Sequence, residues 1–211
     1  MNVFVLCTGR CGSVTFDKAC SHIRNYTSAH ESRADKIGDA RLQYPANHIE
    51  ADNRLSWFLG RLEQKYGNDA FYVHLTRDRL QTAKSYAKRT KSGLIINAYA
   101  NGILLERKED FDMLNVCLDY CDTVNSNIEA FLKDKTNKMN FSLENAKEDF
   151  GTFWQRIEAE GNLTAGLEEW ERAYNTSDRP LNKVTSKPVS VRLAEKAVRL
   201  VAKFPSYLRN A

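Results

Sequence analysis

Two glycines and an arginine follow the first apolar run of the chain. Residues 3–6 are typical of a buried strand, and Thr8-Gly9-Arg10-Cys11-Gly12-Ser13 comes directly after them. The glycines allow the backbone to wrap around a ligand, and the amides at the start of a following helix point towards an anion. We predict an anion-binding loop with contacts from Gly9, Arg10, Cys11, Gly12, Ser13, Val14 and Thr15. The alternative is a plain strand-to-helix turn, because short glycine motifs often occur by chance.

A second set of polar residues follows another apolar run, at positions 70–75. Arg77 comes after this run, and Ser85 lies eight residues further on, about two helical turns away. Arg89 lies four residues beyond Ser85 and so shares its helical face. These three side chains can converge on one phosphate. The alternative is a solvated basic helix, which explains the lysines of this segment better than it explains Arg77.

The two sets together resemble the nucleotide site of the sulfotransferases that use 3′-phosphoadenosine 5′-phosphosulfate. In that family a (Lys/Arg)-x-Gly-(Ser/Thr) turn holds the 5′-phosphosulfate, and Arg10-Cys11-Gly12-Ser13 is similar to it. A strand-end arginine and a serine eight residues later hold the 3′-phosphate, which Arg77 and Ser85 match. Arg89 resembles a further arginine of the tyrosylprotein branch. The resemblance covers mainly residues 3–31 and 70–90.

Differences from the family pattern indicate which branch of the family the chain resembles more. The Gly-x-x-Gly-x-Trp-Lys stretch of the animal cytosolic enzymes is absent, so the chain is closer to the bacterial and tyrosylprotein branches. In those branches a catalytic glutamate lies about twenty residues after the loop cation, and Glu31 lies twenty-one residues after Arg10. The resemblance also suggests nucleotide contacts at Asn182-Lys183 and a family-like strand in residues 140–144.

The resemblance implies an enzyme that moves a sulfuryl group from this donor to an acceptor hydroxyl, leaving adenosine 3′,5′-bisphosphate and needing no metal. Arg10 would stabilise the leaving phosphate, and a base would take the acceptor proton. Glu31 is the first choice for the base, from its spacing. His30 beside it titrates nearer neutrality, and His48 is a third option. Catalytic roles are thus expected for Arg10, Glu31 and His30.

Two other functions stay open. A nucleoside or small-molecule kinase needs a loop lysine and a metal-binding carboxylate, but the Gly-Lys-Ser/Thr ending of a Walker A loop is absent here. A non-catalytic nucleotide-binding protein of the same fold is the second alternative. The acceptor, a small molecule or a carbohydrate, is left open. The same holds for the adenine contact, for which the candidates are Phe16, Trp57, Phe58, Tyr86, Trp154 and Trp170.

The elements needed to position these residues form an α/β pattern. Strands are predicted at 3–6, 70–75 and 139–143, and helices at about 13–23, 51–66, 79–90, 147–159 and 190–203, with two more across 94–135. Residues 27–43 are predicted to be a loop or a short strand. The pattern indicates a short parallel sheet, whose ligands bind beyond the carboxyl ends of the strands. The resemblance sharpens this to a three-layer α/β/α domain like that of P-loop NTPases, with a mostly parallel sheet.

Composition limits the class of protein. The chain has 211 residues, 42% of them hydrophobic, 27% charged, and a formal net charge of +4, which suits one globular domain over residues 1–211. Lys and Arg are spread along the chain, so nucleic acid is not expected as a partner. We expect a cytoplasmic protein without a transmembrane segment, because neither a spanning apolar run nor a signal-peptide pattern is seen. The five cysteines lack a C-x-x-C pair and are expected to be reduced and buried. Cys11 is the exception to consider, because it lies inside the glycine loop.

Overall fold

Five parallel strands form the centre of the computed structural model, which describes residues 1–89, 94–105, 112–172 and 174. The strands are β1 (Val3–Cys7), β2 (Thr27–His30), β3 (His48–Ala51), β4 (Phe71–Thr76) and β5 (Lys138–Ser142). Their order in the sheet is β2-β3-β1-β4-β5, and every pairing is parallel. The predicted α/β architecture with a parallel sheet is confirmed. That residues 1–211 form one domain stays a prediction.

Helices cover both faces of this sheet. In the described ranges they are α1 (Ser13–Cys20), α2 (Leu59–Tyr66), α3 (Arg79–Ala87), α4 (Leu94–Ala98), α5 (Met113–Leu132), α6 (Ala146–Arg156) and α7 (Leu163–Glu168). Side chains of β1 alternate between two buried clusters, as a strand requires. One cluster contains Val5 with α1, α6 and α7, and the other contains Phe4 with α2, α3, α4 and α5. The result is three layers, helix on sheet on helix.

The chain reverses its direction across the sheet at β1. The helix that follows β1 lies on one face, whereas the helices that precede and follow the neighbouring strand β4 lie on the other. In open α/β sheets such a reversal opens a crevice at the carboxyl ends of the strands, where ligands bind. The loop of residues 8–12 lies at this position, directly after β1.

The region between α1 and β4 differs from the sequence prediction. A helix was expected over 51–66, but β3 continues to Ala51, a 3₁₀ helix covers Asn53–Trp57, and α2 begins only at Leu59. The side chain of Asp52 accepts a hydrogen bond from the amide of Arg54 and so caps the 3₁₀ turn. Phe58, at φ −121°, then separates the two helical pieces.

Most other elements agree with the prediction. The strands predicted at 3–6, 70–75 and 139–143 and the two helices across 94–135 are confirmed, while α3 ends at Ala87, three residues before the predicted end. The predicted helix over 190–203 lies outside the described residues. Within the described ranges no helix combines the length and apolarity that crossing a bilayer requires. All five cysteines are free and buried, as expected.

Candidate functional site

The loop after β1 is built from left-handed backbone conformations. Gly9, Arg10 and Gly12 have φ values of 81°, 59° and 96°. A Cβ atom at Gly9 would collide with the Tyr86 hydroxyl, and one at Gly12 would lie 2.7 Å from Leu143 Cδ1. Both positions therefore need glycine for conformation and for space. The loop is packed tightly between α3 and the segment after β5.

Helix α1 begins at the end of this loop with free donors. Its N-terminal flanking residue is Gly12, which has no side chain to cap the helix, and the amide of Phe16 is the one that bonds to the Gly12 carbonyl, at 2.9 Å. The amides of Ser13, Val14 and Thr15 precede Phe16 and have no acceptor within the helix. These amides and the helix dipole favour an anion at this point.

Three distant side chains hold the start of the loop in place. The carbonyl oxygen of Thr8 accepts hydrogen bonds from the hydroxyls of Tyr86 (2.6 Å) and Tyr120 (2.9 Å) and from Asn53 Nδ2 (3.4 Å). Burial raises the pKa of both tyrosines, so their hydroxyls stay neutral donors. Ser56 Oγ donates to the Cys7 carbonyl at 3.1 Å. Sequence reasoning missed this support, because nothing local connects these tyrosines to residue 8.

The cationic residues predicted at two strand ends are in contact. Arg77 follows β4 and donates from Nη1 to the carbonyl of Arg10 at 3.2 Å. Arg10 in turn donates from Nε to the hydroxyl of Ser85, on α3, at 3.1 Å. Burial and then the charge of Arg89 lower the pKa of Arg10, with a smaller effect from Arg77. The guanidinium stays protonated all the same. The structure thus gathers Arg10, Arg77, Ser85 and Arg89 beside the loop.

A carboxylate fixes the turn that carries Arg77. Glu144 accepts a hydrogen bond from the amide of Asp78 at 2.8 Å and one from the hydroxyl of Ser142 at 2.7 Å. Burial opposes ionisation, but these bonds and the nearby charge of Arg77 leave the pKa of Glu144 lowered. Asp78 itself caps α3 by accepting from the amide of Gln81. The turn that carries Arg77 is therefore held by the segment that follows β5.

The two catalytic candidates after Arg10 lie at the end of β2. His30 Nε2 is 3.1 Å from the hydroxyl of Ser13, the first residue of α1. Glu31 has a left-handed backbone, at φ 52°, and its carboxylate pairs with Arg54 Nη1 at 2.6 Å. The side chains of Glu31 and Arg54 are each about one third exposed. His30 thus contacts the loop region directly, while Glu31 faces solvent beside a cation.

The third base candidate, His48, lies inside the structure. Its Nε2 is 3.0 Å from Glu50 and its Nδ1 is 2.8 Å from the hydroxyl of Thr27. Glu50 is fully buried and also accepts from the amide and the hydroxyl of Ser32, at 2.7 and 2.6 Å. With both ring nitrogens engaged and the ring buried, His48 is suited to supporting the turn after Glu31. The alternation of His48, Glu50 and Asp52 reflects a strand with one polar buried face.

The aromatic residues considered for the adenine contact differ in how deeply they are buried. Phe16, Tyr86 and Trp154 are core residues, whereas Trp57 is 40% exposed and Trp170 lines a shallow cleft of about 370 Å³ with residues 143–148. The cleft adjoins the loop, because Leu143 and Trp170 are the neighbours that a Cβ at Gly12 would meet. The thiol of Cys11 is buried, and a hydrogen bond between it and Cys7 lowers the pKa of Cys11. Residues 182 and 183, for which nucleotide contacts were suggested, lie outside the described part of the chain.

Comparisons of the chain with protein-family models, with curated proteins and with solved structures find no match. Its function must therefore be argued from the site itself.

Proposed function

We propose that this chain is a sulfotransferase that uses 3′-phosphoadenosine 5′-phosphosulfate as donor and an acceptor hydroxyl as the second substrate. The observation that carries the proposal is the contact of Arg77 with Arg10 and of Arg10 with Ser85. Residues from two strand ends, far apart in the sequence, there meet beside a helix start with free amides. This arrangement suits a ligand with two separate anionic groups, as the donor has.

Each half of the site has a proposed partner on the donor. The amides of Ser13, Val14 and Thr15, together with Arg10, would hold the 5′-phosphosulfate. Arg77, Ser85 and Arg89 would hold the 3′-phosphate, through charge-assisted hydrogen bonds. The loop follows the central first strand, as in P-loop-like folds, and we include that fold identity in the proposal. The indole of Trp170, beside Gly12, offers a flat surface for the purine.

The chemistry assigned to the protein is positioning and electrostatic stabilisation. The donor supplies the sulfuryl group, and negative charge grows on the oxygen that links sulfur to the leaving phosphate. Arg10 and the loop amides are fixed in advance and stabilise that charge without reorganising. Glu31, at the same sheet edge, is the proposed acceptor of the hydroxyl proton, with His30 the second choice. That no metal is required stays a prediction.

The proposal is tested first by binding. Calorimetry without magnesium should detect adenosine 3′,5′-bisphosphate binding at least about tenfold more tightly than AMP, the size of one lost charge-assisted hydrogen bond. Arg77→Ala should abolish this preference. The matched control is Arg79→Ala, since Arg79 lies two residues after Arg77, at the start of α3, and is ion-paired with Asp122 of α5. Absence of binding to the unmodified chain would sink the proposal. Magnesium-dependent ATP turnover would favour the kinase instead.

The role of the base is tested by transfer. With an acceptor found by a labelled-sulfate screen, Glu31→Gln should reduce turnover at least about a hundredfold, the usual contribution of a general base. Binding of the bisphosphate should be unchanged in this variant. If Glu31→Gln keeps its rate and His30→Asn loses it, the proton goes to the histidine. If both keep the rate, neither is the base.

A further inference from the structure

The 3₁₀ helix Asn53–Trp57 joins the loop to an open surface. In a 3₁₀ helix residues three apart lie above one another on the same face. Asn53 and Ser56 form one such pair, and both donate to carbonyls at the end of β1. Arg54 and Trp57 form the next pair around the helix. The loop contacts therefore fix the direction in which these two side chains leave the helix.

Both Arg54 and Trp57 have contacts that orient their side chains, and both keep part of their surface in water. Arg54 is held at 2.6 Å by Glu31, and Trp57 is supported by the ring of Tyr99, whose centroid is 6.3 Å away. Tyr99 is buried, and its hydroxyl is fixed by Asp119 and by Thr123. Trp57 nevertheless keeps 40% of its surface in water. One turn of about 6 Å separates the bases of Trp57 and Arg54.

An exposed indole beside an ion pair whose side chains are about one third exposed suits a ligand that has both an apolar face and hydroxyl groups. A tryptophan side chain that stays partly in water loses part of the hydrophobic stabilisation it could have. Burying the exposed part of Trp57 against a ligand with an apolar face would recover it. The carboxylate of Glu31 and the guanidinium of Arg54 supply acceptors and donors for neighbouring hydroxyls. A sugar ring carries both features, because its C–H groups form an apolar face and its hydroxyls lie around the edge.

We infer that Trp57, Arg54 and Glu31 form the binding platform for a sugar ring, and that the acceptor of the proposed transfer is a carbohydrate hydroxyl. A simple phenol would stack on Trp57 equally well, but its single hydroxyl would leave most of the donors and acceptors of the ion pair without a partner. The transfer part of this inference rests on the proposed function. The sugar-binding part does not.

The indole N–H signals in a ¹⁵N-labelled sample of the full chain test the inference. The chain has three tryptophans, so Trp57→Phe assigns the relevant signal. The probes are the methyl glycosides of glucose, galactose, mannose, xylose and N-acetylglucosamine, with 4-methylphenol as the comparison, all at millimolar concentration with adenosine 3′,5′-bisphosphate present. We expect at least one glycoside to shift the Trp57 signal and leave that of Trp154 in place.

Variants then distinguish a loss of sugar binding at the platform from a general loss of stability. Trp57→Ala and Arg54→Ala should each raise the dissociation constant of the glycoside at least about tenfold, as removal of a central contact does. Leu80→Ala is the matched control, since Leu80 is 41% exposed on α3. A shift with the phenol alone, or with none of the probes, overturns the inference. If glycosides bind but the bisphosphate does not, the proposed function fails while the sugar platform stands.

Discussion

Replacing Gly9 by alanine should destabilise the fold in a way that depends on Tyr86. A non-glycine residue in the left-handed region costs about 1–2 kcal/mol, and Gly9 has a φ of 81°. The added Cβ would also collide with the Tyr86 hydroxyl and lie 3.1 Å from Asn53 Nδ2. Moving Tyr86 breaks its bond to Thr8, which costs about 1 kcal/mol because Tyr120 still satisfies that carbonyl. We expect a total loss of about 2–3 kcal/mol.

The double variant provides the decisive comparison. Tyr86→Phe alone should cost about 1 kcal/mol, the net value of one hydrogen bond. It also removes the oxygen with which the new Cβ collides, so Gly9→Ala should cost about 1 kcal/mol less in the Tyr86→Phe background. Urea unfolding followed by circular dichroism measures each free energy, with an unchanged slope confirming two-state behaviour.

A second glycine serves as the control for this cycle. Gly60 lies in helix α2, and a Cβ there would meet nothing within 4 Å. Gly60→Ala should therefore be neutral or stabilising by up to about 1 kcal/mol. The reasoning is refuted if Gly9→Ala is as mild as Gly60→Ala. It is also refuted if the Gly9 and Tyr86 substitutions add to within about 0.5 kcal/mol, since residues that collide must be coupled.

Two further predictions concern buried polar groups. Glu50→Gln should destabilise the chain by about 2–3 kcal/mol in urea unfolding, because the buried carboxylate accepts both hydrogen bonds from Ser32. The control is Asp39→Asn, since Asp39 is exposed. An equal effect of the two substitutions would contradict the prediction. The other prediction concerns His74, which contacts Asn125 and whose pKa is lowered by burial. As the pH falls, His74 is therefore protonated at a higher pH in the unfolded chain than in the folded one. Stability should then fall as pH drops below about 6.5, and His74→Gln should flatten this part of the pH dependence; an unchanged slope would exclude His74 as its source.

The elements that could be predicted from the sequence are those formed by apolar runs. Strands β1, β4 and β5 have buried apolar side chains, and the residues after β1 and β4 follow directly from them. The spacing of Arg77 and Ser85 could be interpreted because one helix joins them. The contact of Arg10 with Ser85, by contrast, spans 75 positions and depends on which strands are neighbours.

Strand β3 escaped prediction for a physical reason. Its segment places His48 and Glu50 on one face, where burial normally requires apolar residues, and the charges are accommodated by hydrogen bonds to Thr27 and Ser32. Hydrophobic periodicity cannot detect a buried face of this kind. The same limit hid Tyr120, which looks like an ordinary core residue of α5 but supports the loop with its hydroxyl.

The cations beside the loop connect the stability of the fold to the proposed ligand. Arg89 and Arg77 lower the pKa of Arg10, so the three charges repel one another. Glu144 offsets part of the charge of Arg77, but its oxygens are bonded to Asp78 and Ser142. Arg77 donates a hydrogen bond to the carbonyl of Arg10, a contact that holds these two residues together and leaves the charge of Arg77 in place. An anion with two charged groups would reduce that repulsion, so the residues whose charges repel one another are those proposed to bind the donor.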